Sequence, residues 1–171
     1  MKMKLLSGAI VLSLVLQYVN AADIHVYNLT DFTNAIANAS AYTPIIIHPG
    51  TYNFYEYKEF KTDMWGTMSS PDNTGRSCVW FKKALIIRGA SNVHYSKKTE
   101  KEETIIDGGN LARVFYGYAG QGRSTIYRNL TIKNGKADNA SDSGGGIFSN
   151  GPATSSAIVS NCVFESCSAK M

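Results

Sequence analysis

Three histidines, three cysteines and thirteen acidic residues are the side chains through which this sequence could do chemistry, and their spacing limits what that chemistry can be. His25, His48 and His94 lie far apart with no partner beside them, and a lone imidazole lacks the second group that a general base needs. His48, just before Pro49-Gly50, reads as a strand-end residue. Cys162 and Cys167 are five residues apart, whereas zinc sites favour closer pairs backed by further ligands. Stacked cysteines, or a disulfide between Cys162 and Cys167, fit that spacing better. Asp138 and Asp142 fall in a loop, Asp107 in a glycine turn, and only Glu165 lies near a repeated strand. No two of these acids occupy equivalent positions, so each reads as a turn cap or a solvated group. They do not supply the roughly six to eight oxygens that Ca²⁺ takes. Phosphate loop, nucleophile elbow and dinucleotide fingerprint are all lacking, and no metal or cofactor is implied.

Binding has a better candidate than catalysis. Seven aromatics (Tyr52, Phe54, Tyr55, Tyr57, Phe60, Trp65 and Trp80) fall among Gly66, Ser69, Ser70, Pro71, Asn73 and Gly75. The stretch 51–80 therefore reads as a long irregular loop, a feature that is often functional. Exposed rings at Tyr55, Tyr57 and Trp65 could stack on the C–H faces of sugars, with Glu56, Glu59 and Asp63 accepting from hydroxyls. The alternative is a lid whose aromatics pack over one end of the core.

The elements that must position these residues begin after a leader. Lys2 and Lys4 precede an apolar run from Leu5 to Leu16, and Val19-Asn20-Ala21 supplies small residues before Ala22. That is the layout of a secretory signal peptide over 1–21, with an apolar run too short for a comfortable membrane span; an uncleaved anchor helix is the alternative. Residues 22–171 then form one exported domain without a membrane span. The chain of 171 residues carries a net charge of +4, two units of which leave with the leader, and no basic stripe follows. Nucleic acid is excluded as a partner. Export makes an odd cysteine count unusual, and it turns Asn28, Asn38, Asn129 and Asn139 into candidate glycosylation sites, each opening an Asn-x-Ser/Thr sequon.

Within 22–50, Ile24 to Tyr27 alternates as a strand, Thr30 can cap a helix near 31–40, and Ile45-Ile-Ile47 is a buried strand. Phe32, Ala35, Ile36 and Ala39 form one apolar helix face. From 81 to 171 no helical period is visible. Short strand-like runs recur instead: Ala84–Ile87, Thr104–Ile106, Arg113–Tyr116, Ser124–Ile132 and Ala157–Phe164. The last two align, with Ile126 on Ile158, Asn129 on Asn161 and Ile132 on Phe164, all at one offset. Fixed-period self-similarity marks a solenoid, in which each period pairs with the one before and a recurring Asn holds the turn. The glycines of Gly144-Gly-Gly146 would allow a sharp corner, and the helix would cover the first rung.

At these residues the chain resembles a right-handed parallel β-helix. Val26 to Phe54 is similar to the capping segment of pectate-lyase-like proteins. Thr104-Ile-Ile-Asp-Gly-Gly-Asn110, Leu130-Thr-Ile-Lys-Asn-Gly135, Gly144-Gly-Gly-Ile147 and Asn161 to Ala169 resemble the coils of the polymorphic outer-membrane protein group. Gly145-Gly146-Ile147 fits that group's Gly-Gly-apolar motif, whereas Phe164-Glu-Ser-Cys167 has Cys where the group's Phe-x-x-Asn motif has Asn. The resemblance implies an all-β fold with an amphipathic capping helix, and a secreted or cell-surface structural, adhesive or carbohydrate-binding role. Its expected partners are extracellular polysaccharide or cell-surface glycans. The rival is a polysaccharide lyase, a glycoside hydrolase or an inactive fragment of one, although paired aspartates, Gly-His-Gly and Arg-Ile-Lys are all missing. Met171 follows soon after a coil begins to repeat, which reads as a truncated β-helix whose open edge could pair with another copy.

Overall fold

A computed structural model of the chain describes residues 22–54, 77–90, 103–118, 123–137, 144–151 and 156–170. The opening holds β1 (Ile24–Val26), α1 (Leu29–Asn38), β2 (Pro44–Ile47), β3 (Gly50–Asn53) and β4 (Ser77–Phe81). β5 (Ile86–Gly89), β6 (Thr104–Asp107) and β7 (Arg113–Tyr118) follow. Next come β8 (Ser124–Arg128), β9 (Thr131–Lys133), β10 (Lys136–Ala137) and β11 (Ile147–Asn150). β12 (Ser156–Ser160), β13 (Val163–Glu165) and β14 (Ser168–Ala169) complete the described chain.

These strands form a five-stranded sheet in the order β1-β2-β5-β8-β12, a four-stranded sheet β13-β9-β6-β3, a three-stranded sheet β11-β7-β4 and the pair β10-β14. The ladders are parallel throughout. From β2 onward the chain visits the five-, four- and three-stranded sheets in turn, then returns to the first. The described residues are therefore mainly β, their strands paired in parallel, with one helix.

Burial follows the register. Ile45, Ile87 and Tyr127 form one inward column, and Tyr52, Ile106 and Ile132 form another. Val79 and Phe115 meet from the third sheet. Each buried aliphatic or aromatic side chain contributes about 1.5–3 kcal/mol of transfer free energy. The aligned segments pair as the shared offset requires: Ile126 with Ile158, and Ile132 with Phe164. They differ from the sequence reading in one respect. Ser124–Ile132 and Ala157–Phe164 are each two strands, because Asn129 and Asn161 adopt φ of 57° and 50° and turn the chain. Their side chains hold each other across the rungs, Asn161 Nδ2 donating to Asn129 Oδ1 at 2.8 Å. Asn tolerates the left-handed region better than most residues, which suits it to this corner. Gly145 is needed for a different reason: a Cβ there would lie 2.2 Å from the Ser168 carbonyl oxygen.

The helix starts two residues earlier than expected, at Leu29, and ends at Asn38. Asn28, not Thr30, is its cap. Asn28 is extended, its Oδ1 accepts from the Asp31 amide at 2.9 Å, and Asp31 Oδ2 accepts in return from Asn28 Nδ2. Phe32, Ala35 and Ile36 are buried, and Phe32 meets the edges of Tyr52, Phe54 and Phe115. At the other end Lys83 Nζ donates to the carbonyls of Ala37 and Ala39, placing a cation on the helix C-terminus. The stretch 51–80 is not all loop. Both ends are strand, because Tyr52 supplies an inward apolar residue to β3, and Cys78, Val79 and Phe81 supply them to β4.

Candidate functional site

Strand register also decides what faces outward. On the five-stranded sheet, Pro44, Ile86, Ile126 and Ile158 stack into one outward row. The next row runs His25, Ile46, Arg88, Arg128 and Ser160. Pro44, Ile86, Ile126, Ile158, Arg88, Arg128 and Ser160 together line a shallow groove of about 360 Å³. Arg128 Nε donates to Ser160 Oγ at 3.2 Å, and Arg88 Nη2 lies 3.5 Å from Asp23 Oδ2. A hydroxyl row of Ser124 and Ser156, 2.9 Å apart, flanks the isoleucines on the other side. An apolar strip between guanidinium and hydroxyl rows can hold an extended ligand that is apolar along one face and anionic along an edge.

Aromatic surface is arranged differently. Trp80, Tyr116 and Phe148 share a row on the three-stranded sheet, but Tyr116 is buried, and the Arg113 guanidinium sits 4.6 Å from the Phe148 ring centre. Arg113 is itself buried and donates from Nε to the Gly144 carbonyl, so it supports that turn. Tyr52 and Phe54 from the aromatic stretch are core residues. The sugar-stacking candidates Tyr55, Tyr57 and Trp65 lie outside the described residues, as do Asn139, Asp138 and Asp142.

The acids need one correction. Asp107 and Glu165 do occupy equivalent positions, in a row that reads Asn53, Asp107, Lys133, Glu165. Sequence alone hides this because β6 and β9 are joined through a spacing unlike that of later rungs. Lys133 separates the two carboxylates, which places their strands about 9–10 Å apart, and its Nζ lies 3.7 Å from Asp107 Oδ2. Asp107 Oδ1 accepts from the Gly109 amide and Asn134 Nδ2, both at 2.9 Å, the turn-capping role read from its glycine turn. A row of acid, lysine and acid keeps one net negative charge and does not make a Ca²⁺ cage.

The histidines need a second correction. His25 and His48 are not isolated: His25 Nδ1 lies 2.9 Å from His48 Nε2, and the Tyr27 ring stacks on His48 at 4.1 Å. The parallel pairing of β1 with β2 brings them together, a contact that sequence spacing gives no hint of. Among the described residues no group of three or more His, Cys, Asp and Glu is placed to hold a metal ion.

Cys78, Cys162 and Cys167 are free thiols, with Cys162 Sγ donating toward the Ser160 carbonyl and Cys167 Sγ toward that of Ile132. Burial pushes the Cys78 thiol up to about 12, with Asp107 adding to the shift. Burial also raises Cys162 and Cys167. Asn28 and Asn38 are exposed, whereas Asn129 is 6% exposed and committed to the corner ladder, so a glycan there would require the rung to open. No described helix is long and apolar enough to cross a membrane. No protein-family model, curated protein or solved structure matches this chain.

Proposed function

We propose that this chain is a secreted or cell-surface, non-enzymatic module built as a right-handed parallel β-helix with a helical cap at its start, and that it adheres to acidic extracellular polysaccharide. Parallel strands revisited in fixed order support the β-helix reading, and its hand follows from the strong right-handed preference of parallel crossovers. The observation that carries the function is the groove on the five-stranded sheet, where an isoleucine row lies beside Arg88 and Arg128. The apolar row suits the C–H faces of sugar rings, and the guanidiniums suit carboxylate or sulfate groups with paired N–H donors. Successive rungs are about 4.8 Å apart, so a chain lying across the strands meets several at once.

Titration of the purified protein with a polyuronate and with a neutral glucan tests this reading. The acidic polymer is expected to bind, more weakly at high salt, and Arg88→Ala with Arg128→Ala to weaken it about tenfold or more. Equal binding of the neutral polymer, or indifference to both substitutions, rejects the site. Release of unsaturated uronate products during the incubation would favour the rival lyase reading.

A further inference from the structure

We propose that His25 and His48 form a binding site for a divalent transition metal of tetragonal preference, Cu²⁺ before Ni²⁺, at the outer edge of the five-stranded sheet. The geometry points to that class. Imidazole nitrogens bind first-row divalent metals at about 2.0–2.1 Å, so two of them at right angles around one ion stand about 2.8–3.0 Å apart. A tetrahedral ion needs about 3.3–3.4 Å between them. His25 Nδ1 and His48 Nε2 are 2.9 Å apart in a hydrogen bond, close enough that a turn of one ring lets both face a single ion from two adjacent corners of a square-planar or tetragonal centre.

The pair is built rather than incidental. His25 is fixed by the ladder that pairs it with Ile46. The His48 amide donates to the Val26 carbonyl at 2.9 Å, and Tyr52 Oη bridges the carbonyls of Val26 and His48 at 3.1 and 3.0 Å. These bonds tie the two backbones together directly beneath the imidazoles. Pro49 follows His48 and restricts its backbone. Tyr27, 64% exposed, lies flat on the His48 ring with 17° between the planes and leaves the outer side accessible.

Loading needs no redox step. One nitrogen of the pair now donates a hydrogen bond to the other. The proton in that bond moves through solvent to the far nitrogen of its own ring, both lone pairs turn to the metal, and the pair stays neutral. Rotation of the exposed His25 ring about its broad χ2 well supplies the movement. Water fills the remaining positions.

Addition of CuSO₄ alone to the full chain, followed by electron paramagnetic resonance and competition with a chelator of known affinity, tests the site. One equivalent is expected to bind with two equatorial nitrogens. His25→Gln and His48→Gln should each weaken binding tenfold or more, while His94→Gln should not. Circular dichroism melts without metal identify any variant that fails to fold; Tyr27→Ala, which leaves both ligands in place, then serves as the second reporter and should keep the two-nitrogen spectrum. Wild-type affinity in His48→Gln would place the metal on His25 and nearby main chain and overturn the proposal. A single-nitrogen spectrum, or equal loss in His94→Gln, would do the same.

Discussion

Ile132 and Phe164 hold the same place in successive rungs, yet Ile132 is 0% exposed and Phe164 is 47% exposed. Tyr127 and Val159 repeat the contrast, the first buried and the second exposed. Register and residue type are nearly constant between the two rungs, so neither explains the difference. What differs is company: β9 lies between β6 and β13, whereas among the described residues β13 has a strand on one side only. In a parallel stack a side chain is buried by rungs above and below it, and the inward direction by itself hides only part of it. Asymmetric burial predicts asymmetric energetics.

The largest expected effect comes from charging the column. Ile132→Asp places a carboxylate with no partner in a dry interior, at a cost of about 4 kcal/mol or more, and is expected to unfold much of the population. Phe164→Asp, at the same register, is expected to cost less than about 1.5 kcal/mol. Urea denaturation of both variants checks this, and equal losses would break the comparison. At the corners, Asn129→Ala removes a buried member of the Asn ladder and forces Ala to a positive φ, for about 2 kcal/mol; Asn161→Ala, on the outer rung, is expected to cost about half as much. Swapped magnitudes in the same assay would mean that the last rung is better enclosed than Phe164 suggests.

Tyr52 starts the column that ends at Phe164, and burial, aided by the Asp31 charge, pushes its phenol up to about 12 from an ordinary 10.0. Because the folded value is raised, this stabilisation is complete below pH 10 and is lost as pH climbs from 10 toward 12. Melting temperatures across that window should fall less steeply in Tyr52→Phe than in the parent, with buried Tyr127 retaining part of the slope. The smallest perturbation is chemical. A thiol reagent applied to the native protein should label Cys162 and Cys167 on the outer rung and spare Cys78 until the chain unfolds.

Much of this architecture was legible because it is written in local pattern. The apolar face of Phe32, Ala35 and Ile36, the Ile45-Ile-Ile47 strand and the shared offset of Ile126 with Ile158 need only short windows of sequence. Contacts between rungs are another matter. Tyr52 pairs with Ile106, and Ile105 with Thr131, across insertions of unequal length, so no common period reveals them. The meeting of His25 with His48, the row of Asp107, Lys133 and Glu165, and the groove beside Arg88 and Arg128 all depend on such pairings. Residue types suggested chemistry for each of these side chains, but only the ladder supplied neighbours.

Lys83 ties this stack to the order in which the chain is made. Its ammonium completes the carbonyl end of α1 from 46 residues downstream of Ala37. A ten-residue helix is marginal on its own in water. A ribosome adding about 5–20 residues per second takes several seconds to reach Lys83 after finishing the helix. Throughout that interval Phe32 and Ile36 have neither their lysine nor the second rung, so the greasy side of the helix must be shielded by whatever escorts the nascent chain. The cap at the beginning of the sequence is thus completed only after β4 has been made.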